Sequence, residues 1–295
     1  MVIVQISNGL GNQMFMYALG RSISYRNNVE LKLDLSIYDS GHHSVYFLDK
    51  FNIQAGIATR EEVESFKPKR WKLHKWIPYE INRRMMPMRK RKFVRERTYR
   101  FDPEVMKIRD NAYLLGFWAC EKYFKDIREV LLQDFTLINS PNEKNREVLD
   151  EMASCDSISL HIRRGKYVSD PRARRTFGAL PVEYYQRGLD YIAERVSNPR
   201  VFVFSHEMDW VKENLKTNLP LRYVDHNPPA EYYEDLRLIK ACKHHVIPNS
   251  TFTWWGAWLC KYPGKIVVAP RYWFAPEKAE RGGDAEVFPD EWIRL

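Results

Sequence analysis

The stretch "SISLHIRRGKYVSD" (residues 157–170) decides how the chain is read. A short β-prone run rises to His161 and Ile162, then gives way at once to two arginines and a glycine. A run of that length, bounded by charge and glycine, has the form of a buried strand ending in a polar loop. Downstream, "PVEYYQRGLDYIAERV" (181–196) starts on proline, which suits a first helical turn. Its Tyr185, Leu189, Ile192, Ala193 and Val196 recur at i, i+4, i+7, i+8 and i+11, so they share one helix face. "RVFVFS" (200–205) is continuously apolar, as for a strand covered on both faces. The three segments form a strand–helix–strand unit.

The alternation continues. A helix is expected over 207–215, a strand at "LRYV" (221–224) and a helix in "EYYEDLRLIKAC" (231–242). "HHVIP" (244–248) reads as a strand, "TFTWWGAWLC" (251–260) as a helix and "KIVVAP" (265–270) as a strand. This order calls for a parallel, doubly wound sheet, which binds ligands beyond the carboxyl ends of its strands. His161, Arg163 and Arg164 leave one such end, Ser205 leaves a second, and Asn249, Ser250 and Thr251 leave a third.

The N-terminal half opens with a strand at "VIVQIS" (2–7), a turn "NGLGNQ" (8–13) shaped by Gly9 and Gly11, and a helix carrying Phe15, Leu19 and Ile23 at i, i+4 and i+8. Further strands are expected at 29–36 and 112–118, and residues 60–100 read as irregular, basic and aromatic. The polar segment "NSPNEKNRE" (139–147) marks a boundary, giving domains 1–145 and 146–295. The fold class expected is α/β: two Rossmann-like domains facing across a cleft.

With 295 residues, 44% apolar and 29% charged, the chain is long and apolar enough to be globular. Basic residues outnumber acidic ones 47 to 38, a formal +9, which points to an anionic partner. The excess peaks in "RRMMPMRKRKFVRER" (83–97), whose one acid is Glu96. Such a run is ordinarily a solvated basic face, and the methionines and aromatics beside it suit acidic lipid. The four cysteines show no C-x-x-C pairing and are expected as buried thiols. The opening residues lack a secretory signal, and no run of 18 apolar residues occurs. A cytoplasmic chain, in peripheral contact with the inner membrane, is the expectation.

Arginine stays charged and presents a planar fork of donors that matches phosphate oxygens. An arginine pair at a strand's carboxyl end meets the first requirement of a pyrophosphate site; carboxylate-paired surface arginines are the alternative. In "PNSTFTWWGAWL", Asn249, Ser250 and Thr251 are placed to cap a helix whose N–H groups form an anion site. The tryptophans there, Trp255 and Trp258 with Leu259, have core spacing. "NGLGNQ" matches the dinucleotide fingerprint only in part, since its third glycine is missing. No D-x-D occurs, so no carboxylate pair of that kind is offered to Mg²⁺ or Mn²⁺.

Taken in order, "NGLGNQMFMYALG", "SLHIRRG", "VFSHEMDWVKENL" and "NSTFTWWGAWL" resemble the bacterial α-1,2-fucosyltransferases of glycosyltransferase family 11, over nearly the whole chain. The resemblance implies a GT-B-like fold, no metal and no cofactor. It also implies inverting transfer of L-fucose from GDP-β-L-fucose to O2 of a galactose-containing acceptor. The N-terminal domain is then the acceptor side and the C-terminal domain the nucleotide-sugar side. By position, Arg163 is the main diphosphate ligand, His161 contacts the nucleoside side, and Arg164 supports the site. Ser250, Thr251 and Phe252 line the phosphates and ribose, while Gly11 and Asn12 lie beside the sugar. Arg163 and Asn12 are the residues expected to act in catalysis.

Two departures stand out. Lys166 replaces the aspartate of the family's His-x-Arg-Arg-Gly-Asp, and "FSHE" replaces "FSDD", leaving Glu207 to accept the guanine N–H groups beside His206. Inversion calls for a base away from the phosphate. Glu30, Asp34, Asp39, His42 and His43 are the candidates. The remaining alternatives are a similar transferase using another nucleotide sugar and a non-enzymatic polyanion binder acting through residues 83–97. No specific nucleic-acid partner is expected.

Overall fold

The computed structural model describes residues 1–40, 45–67, 86–282 and 284–295. His42, His43 and the first residues of the basic run, Arg83, Arg84 and Met85, lie outside the described residues. The chain divides into two compact units, Met1–Thr136 and Leu137–Leu295.

The first unit runs β1 (Val2–Gln5), α1 (Leu10–Asn27), β2 (Leu31–Asp34), β3 (Gly56–Ile57), α2 (Arg60–Phe66), β4 (Phe93–Arg95), β5 (Ala112–Leu115) and α3 (Arg128–Asp134), with 3₁₀ turns between. Its strands form one sheet in the order β3-β2-β1-β5-β4, and every pairing is parallel. Val2, Ile3 and Val4 of the central strand are fully buried, the signature of a sheet covered on both faces. Burying each such side chain contributes about 1.5–3 kcal/mol.

The second unit runs α4 (Glu143–Ala153), β6 (Asp156–His161), α5 (Lys166–Ser169), α6 (Pro171–Thr176), α7 (Val182–Ala193), β7 (Pro199–Phe204) and α8 (Met208–Asn214). It continues β8 (Leu221–Val224), α9 (Tyr233–Ala241), β9 (His244–Val246), α10 (Thr251–Leu259), β10 (Val267–Ala269), α11 (Pro276–Gly282) and β11 (Ile293–Arg294). The sheet order is β11-β10-β9-β6-β7-β8, again all parallel. Tyr185, Leu189 and Ile192 of α7 pack on Ile158, Leu160 and Val203, as the helical spacing requires. Trp254, Trp255 and Trp258 are core residues, and all four cysteines are buried and none is in a disulfide.

Each unit is therefore an α/β domain on a doubly wound parallel sheet, as a GT-B-like chain requires. In each sheet the order reverses beside the unit's first strand: between β1 and β5, and between β6 and β9. Those are the switch points at which such sheets bind ligands.

Several expectations need correcting. The division falls between Thr136 and Leu137, not at 145/146, because α4 begins at Glu143 and docks wholly in the second unit. The residue before the α1 turn with positive φ is Asn8 (62°), whereas Gly9 caps the helix with extended backbone and Gly11 lies in its first turn. Residues 60–100 are not uniformly irregular, since α2 and β4 fall there. β4 takes its place inside the basic run: Val94 is buried and pairs with Leu114 of β5. Among the described residues no helix is long and apolar enough to cross a membrane.

Candidate functional site

β6 carries His161 to its carboxyl end, where Ile162 N–H still donates to Phe204 carbonyl at 3.0 Å. The chain then turns sharply through Gly165, at φ 39° and ψ −119°. An L side chain rarely adopts that backbone, so glycine is needed there for its conformation, not for space. The turn sends the two arginines to different partners.

Arg163 lies over the Tyr167 ring, 4.6 Å from Cζ to centroid, and its Nη1 donates to Ser250 Oγ at 3.2 Å. Tyr167 is braced in turn. It stacks on Phe177 at 5.3 Å and 14°, and its hydroxyl donates to the Asn249 carbonyl at 3.3 Å. Asn249 Nδ2 donates to the carbonyls of Phe177 and Trp273, both at 3.0 Å. A guanidinium, an aromatic face and the loop after β9 are thus closed into one frame at the β6/β9 switch point.

That frame corrects the capping expectation. Ser250 is the N-cap of α10, yet its side chain makes no cap bond, because the hydroxyl is turned to Arg163. Asn249 is turned away to two carbonyls. The first-turn amides of α10 therefore have no side-chain cap, and the positive end of the helix dipole lies beside a guanidinium. Thr251 and Phe252, in that first turn, are half-buried. Such a set of donors suits a diphosphate.

His161 is only 7% exposed, and its Nδ1 is buried without a hydrogen-bond partner. Burial foremost, and then the nearby charges of Arg163 and His206, push its pKa down to about 3, so the ring is neutral. Its edge meets Phe252 at 6.2 Å, and Phe252 in turn meets Tyr232 at 5.3 Å. Arg164 points elsewhere: its Nε donates to Glu207 Oε2 at 3.2 Å and its Cζ sits 3.8 Å from the Trp210 ring centroid. Glu207 is thus paired with Arg164 through one oxygen, and its own N–H donates to Ser205 Oγ at 3.0 Å. Lys166 is exposed at the start of α5, where its carbonyl accepts from Asp170 N–H at 3.0 Å.

Asp235, in the first turn of α9, was not singled out by the sequence. It accepts from Asn227 Nδ2 at 2.8 Å, and burial, followed by the charge of Glu234, leaves its pKa at about 6. The signal was available: Asp235 precedes Leu238 and Ile239 by three and four residues, so it shares their buried face. Tyr167 was also legible, four residues after Arg163.

In the first unit, Asn12 is half-buried in the first turn of α1 and its N–H donates to the Gly9 carbonyl at 3.0 Å. Gly11 is buried beside it. The stronger organiser of that turn is Gln13, fully buried. Its Nε2 donates to the carbonyls of Asn8 and Val45, both at 2.7 Å, and its Oε1 accepts from Phe47 N–H at 3.0 Å. Of the bases considered, Glu30 and Asp39 are exposed. Asp34 is buried and tied to the Tyr113 hydroxyl (2.6 Å) and Ser36 N–H (2.9 Å). Burial raises its pKa, but those bonds outweigh it and the net shift is downward.

The chain is similar to several known proteins. The Escherichia coli alpha-1,2-colitosyltransferase is 33% identical over 300 residues, covering 100% of this chain and 98% of its own. The Escherichia coli O-antigen biosynthesis glycosyltransferase WbnK is 31% identical, covering 98% and 99%. Among solved structures, the NodZ alpha-1,6-fucosyltransferase soaked with GDP-fucose aligns over 88% of this chain and 91% of its own, at 14% identity and a TM-score of 0.49. The sequence profile of glycosyl transferase family 11 matches residues 1–295 throughout, and the chain belongs to that family.

Proposed function

We propose that this glycosyltransferase moves L-fucose from GDP-β-L-fucose to O2 of a galactose-containing acceptor, forming an α-1,2 link with inversion. The observation that carries the reading is Arg163, held between Tyr167 and Ser250 at the uncapped N-terminus of α10. When the bond from fucose C1 to the diphosphate breaks, the electron pair leaves with GDP and negative charge grows on the β-phosphate. Arg163 and the α10 amides stabilise that charge most at the transition state, where it counts for rate. Neutral His161 lies on the same edge and leaves the stabilisation of that charge to Arg163 and the helix amides.

Guanine recognition falls to a carboxylate. Glu207 gives Oε2 to the Arg164 cation and Asp235 gives Oδ1 to the neutral Asn227 amide, and Asp235 lies three residues from Tyr232, which packs on Phe252. Asp235 is therefore the better placed of the two to accept base N–H groups. Calorimetry with GDP, UDP and ADP tests the nucleotide: GDP binding tightest supports the reading, and tighter UDP binding overturns it.

A second donor sugar is favoured by one observation, the 33% identity to an alpha-1,2-colitosyltransferase along the full chain. Side-by-side assays with GDP-fucose and nucleotide-activated colitose, at equal acceptor, separate the two sugars by kcat/KM. The basic segment remains a proposal for peripheral membrane contact. Liposome flotation that falls on charge reversal at Arg89, Lys90, Arg91 and Lys92 supports it, and unchanged flotation counts against it.

A further inference from the structure

We propose that a cavity at the carboxyl edge of the N-terminal sheet binds the acceptor pyranose, with the Glu96 carboxylate accepting a hydrogen bond from a sugar hydroxyl. This rests on the glycosyl-transfer reading above and names the place where the second substrate is held. The cavity has a volume of about 280 Å³ and is lined by Gln5, Ser7, Arg95, Glu96, Tyr99 and Phe117, among others. That is just below the about 300–1,000 Å³ range of small-molecule pockets, a fit for a sugar unit rather than a nucleotide sugar.

Its position follows from topology. Gln5 ends β1 and Leu115 ends β5, and these neighbours flank the point where the strand order reverses. The second unit repeats the relation, with Arg163 after β6 and Ser250 after β9. Each sheet thus presents one polar site at its own switch point, as doubly wound sheets do.

The carboxylate is built in, not incidental. Glu96 Oε2 accepts from Phe117 N–H at 2.6 Å and Oε1 from Trp118 N–H at 3.0 Å, which fixes the plane and leaves each oxygen further acceptor capacity. Trp118 achieves this with φ at 58°, a strained conformation for a bulky residue, and such strain gathers at binding sites. Gly116 makes room: a Cβ there would fall 2.3 Å from Glu96 Cβ and 2.8 Å from Oε2. Tyr99 and Phe117 stack at 6.3 Å and 21° on the same rim, giving an apolar face for sugar C–H groups beside an acceptor for its hydroxyls.

The charged and titratable groups around Glu96 among the described residues include Arg95, Arg97, Tyr99, Arg100 and Asp102 on its own segment and the Tyr123 phenol; the β5 loop contributes backbone amides. Burial lifts the Glu96 pKa to about 6, against the pull of the two amides. Protonation removes the anionic acceptor, so acceptor KM should rise as pH falls through about 6.

The test uses the full chain with methyl β-D-galactopyranoside and GDP-fucose. Glu96→Gln is expected to raise acceptor KM about 10–100-fold, the worth of a hydrogen bond to a charged group, with GDP affinity unchanged. It should also flatten the wild-type rise of acceptor KM at low pH. Unchanged acceptor KM in Glu96→Gln overturns the proposal. If Glu96→Gln does not fold, the wild-type profile decides, and acceptor KM that is flat between pH 7 and about 5 overturns it. If the wild type transfers nothing from GDP-fucose, the transfer reading fails separately. NMR titration of the galactoside then decides the cavity: binding weakened by Glu96→Gln supports it, and equal or absent binding overturns it.

Discussion

Arg163 donates a hydrogen bond to the hydroxyl of Ser250, 3.2 Å away across 87 residues of sequence. The contact joins the loop after β6 to the first turn of α10 and turns the hydroxyl away from the helix it would otherwise cap. A cationic fork and an uncapped helix end are thereby set side by side.

Removing the fork should cost transfer more than stability, because Arg163 is exposed. Arg163→Ala is expected to lower kcat/KM for the donor at least about 10–100-fold, the loss of one charge-assisted bond in the transition state. Arg163→Lys should recover little, since an ammonium keeps the charge but lacks the fork that bonds Ser250 while stacking on Tyr167. Steady-state kinetics beside thermal melts check both variants.

Gly165→Ala should act through the backbone. At φ 39° and ψ −119° a Cβ meets no neighbour within 4 Å, yet the conformation itself is strained for an L residue. The expected cost is about 1–3 kcal/mol, read as a lower melting temperature, together with weaker GDP binding as the arginines shift. Full stability and full binding would show that the turn relaxes without consequence.

His161 gives a pH signature. Its pKa is about 3 in the fold against an ordinary 6.5, so the unfolded chain binds the extra proton first as pH falls. The stability that comes with the neutral ring is present above about pH 6.5 and is lost progressively toward pH 3. His245, held neutral by burial, acts with the same sign. His161→Phe should flatten the fall in melting temperature between pH 7 and about 4, leaving the His245 part. A melting curve with the same pH slope as wild type would contradict the assignment.

Gln13→Leu should destabilise the N-terminal unit. It leaves the buried N–H of Phe47 without its acceptor and unties the carbonyls of Asn8 and Val45, all served by one buried side chain. An unsatisfied buried group costs about 1–3 kcal/mol, so a loss of at least about 2 kcal/mol is expected in urea denaturation.

The sequence was most legible where structure is local and periodic. The strand at 157–162, the α7 face through Tyr185, Leu189 and Ile192, and the tryptophan core of α10 follow from spacing alone, and so does the parallel sheet they imply. Arg163 and Ser250 were identifiable as donors at strand ends. Their contact was not, because it depends on a turn at Gly165 whose direction no spacing encodes. β3, β4 and β11 were missed because they are two or three residues long, and β4 and β11 also sit among charges. Glu96 was hidden for a related reason. In a run of eight basic residues one acid reads as charge balance, and only the β4–β5 pairing and the kink at Trp118 bring two amides to it.

The most direct test is to incubate the purified chain with GDP-fucose and a panel of β-galactosides and assign the product linkage by NMR. The expected product is fucose joined through an α-1,2 link to galactose, with the signal falling sharply in Arg163→Ala. Fucose attached elsewhere than galactose O2, or transfer undiminished without Arg163, would contradict it.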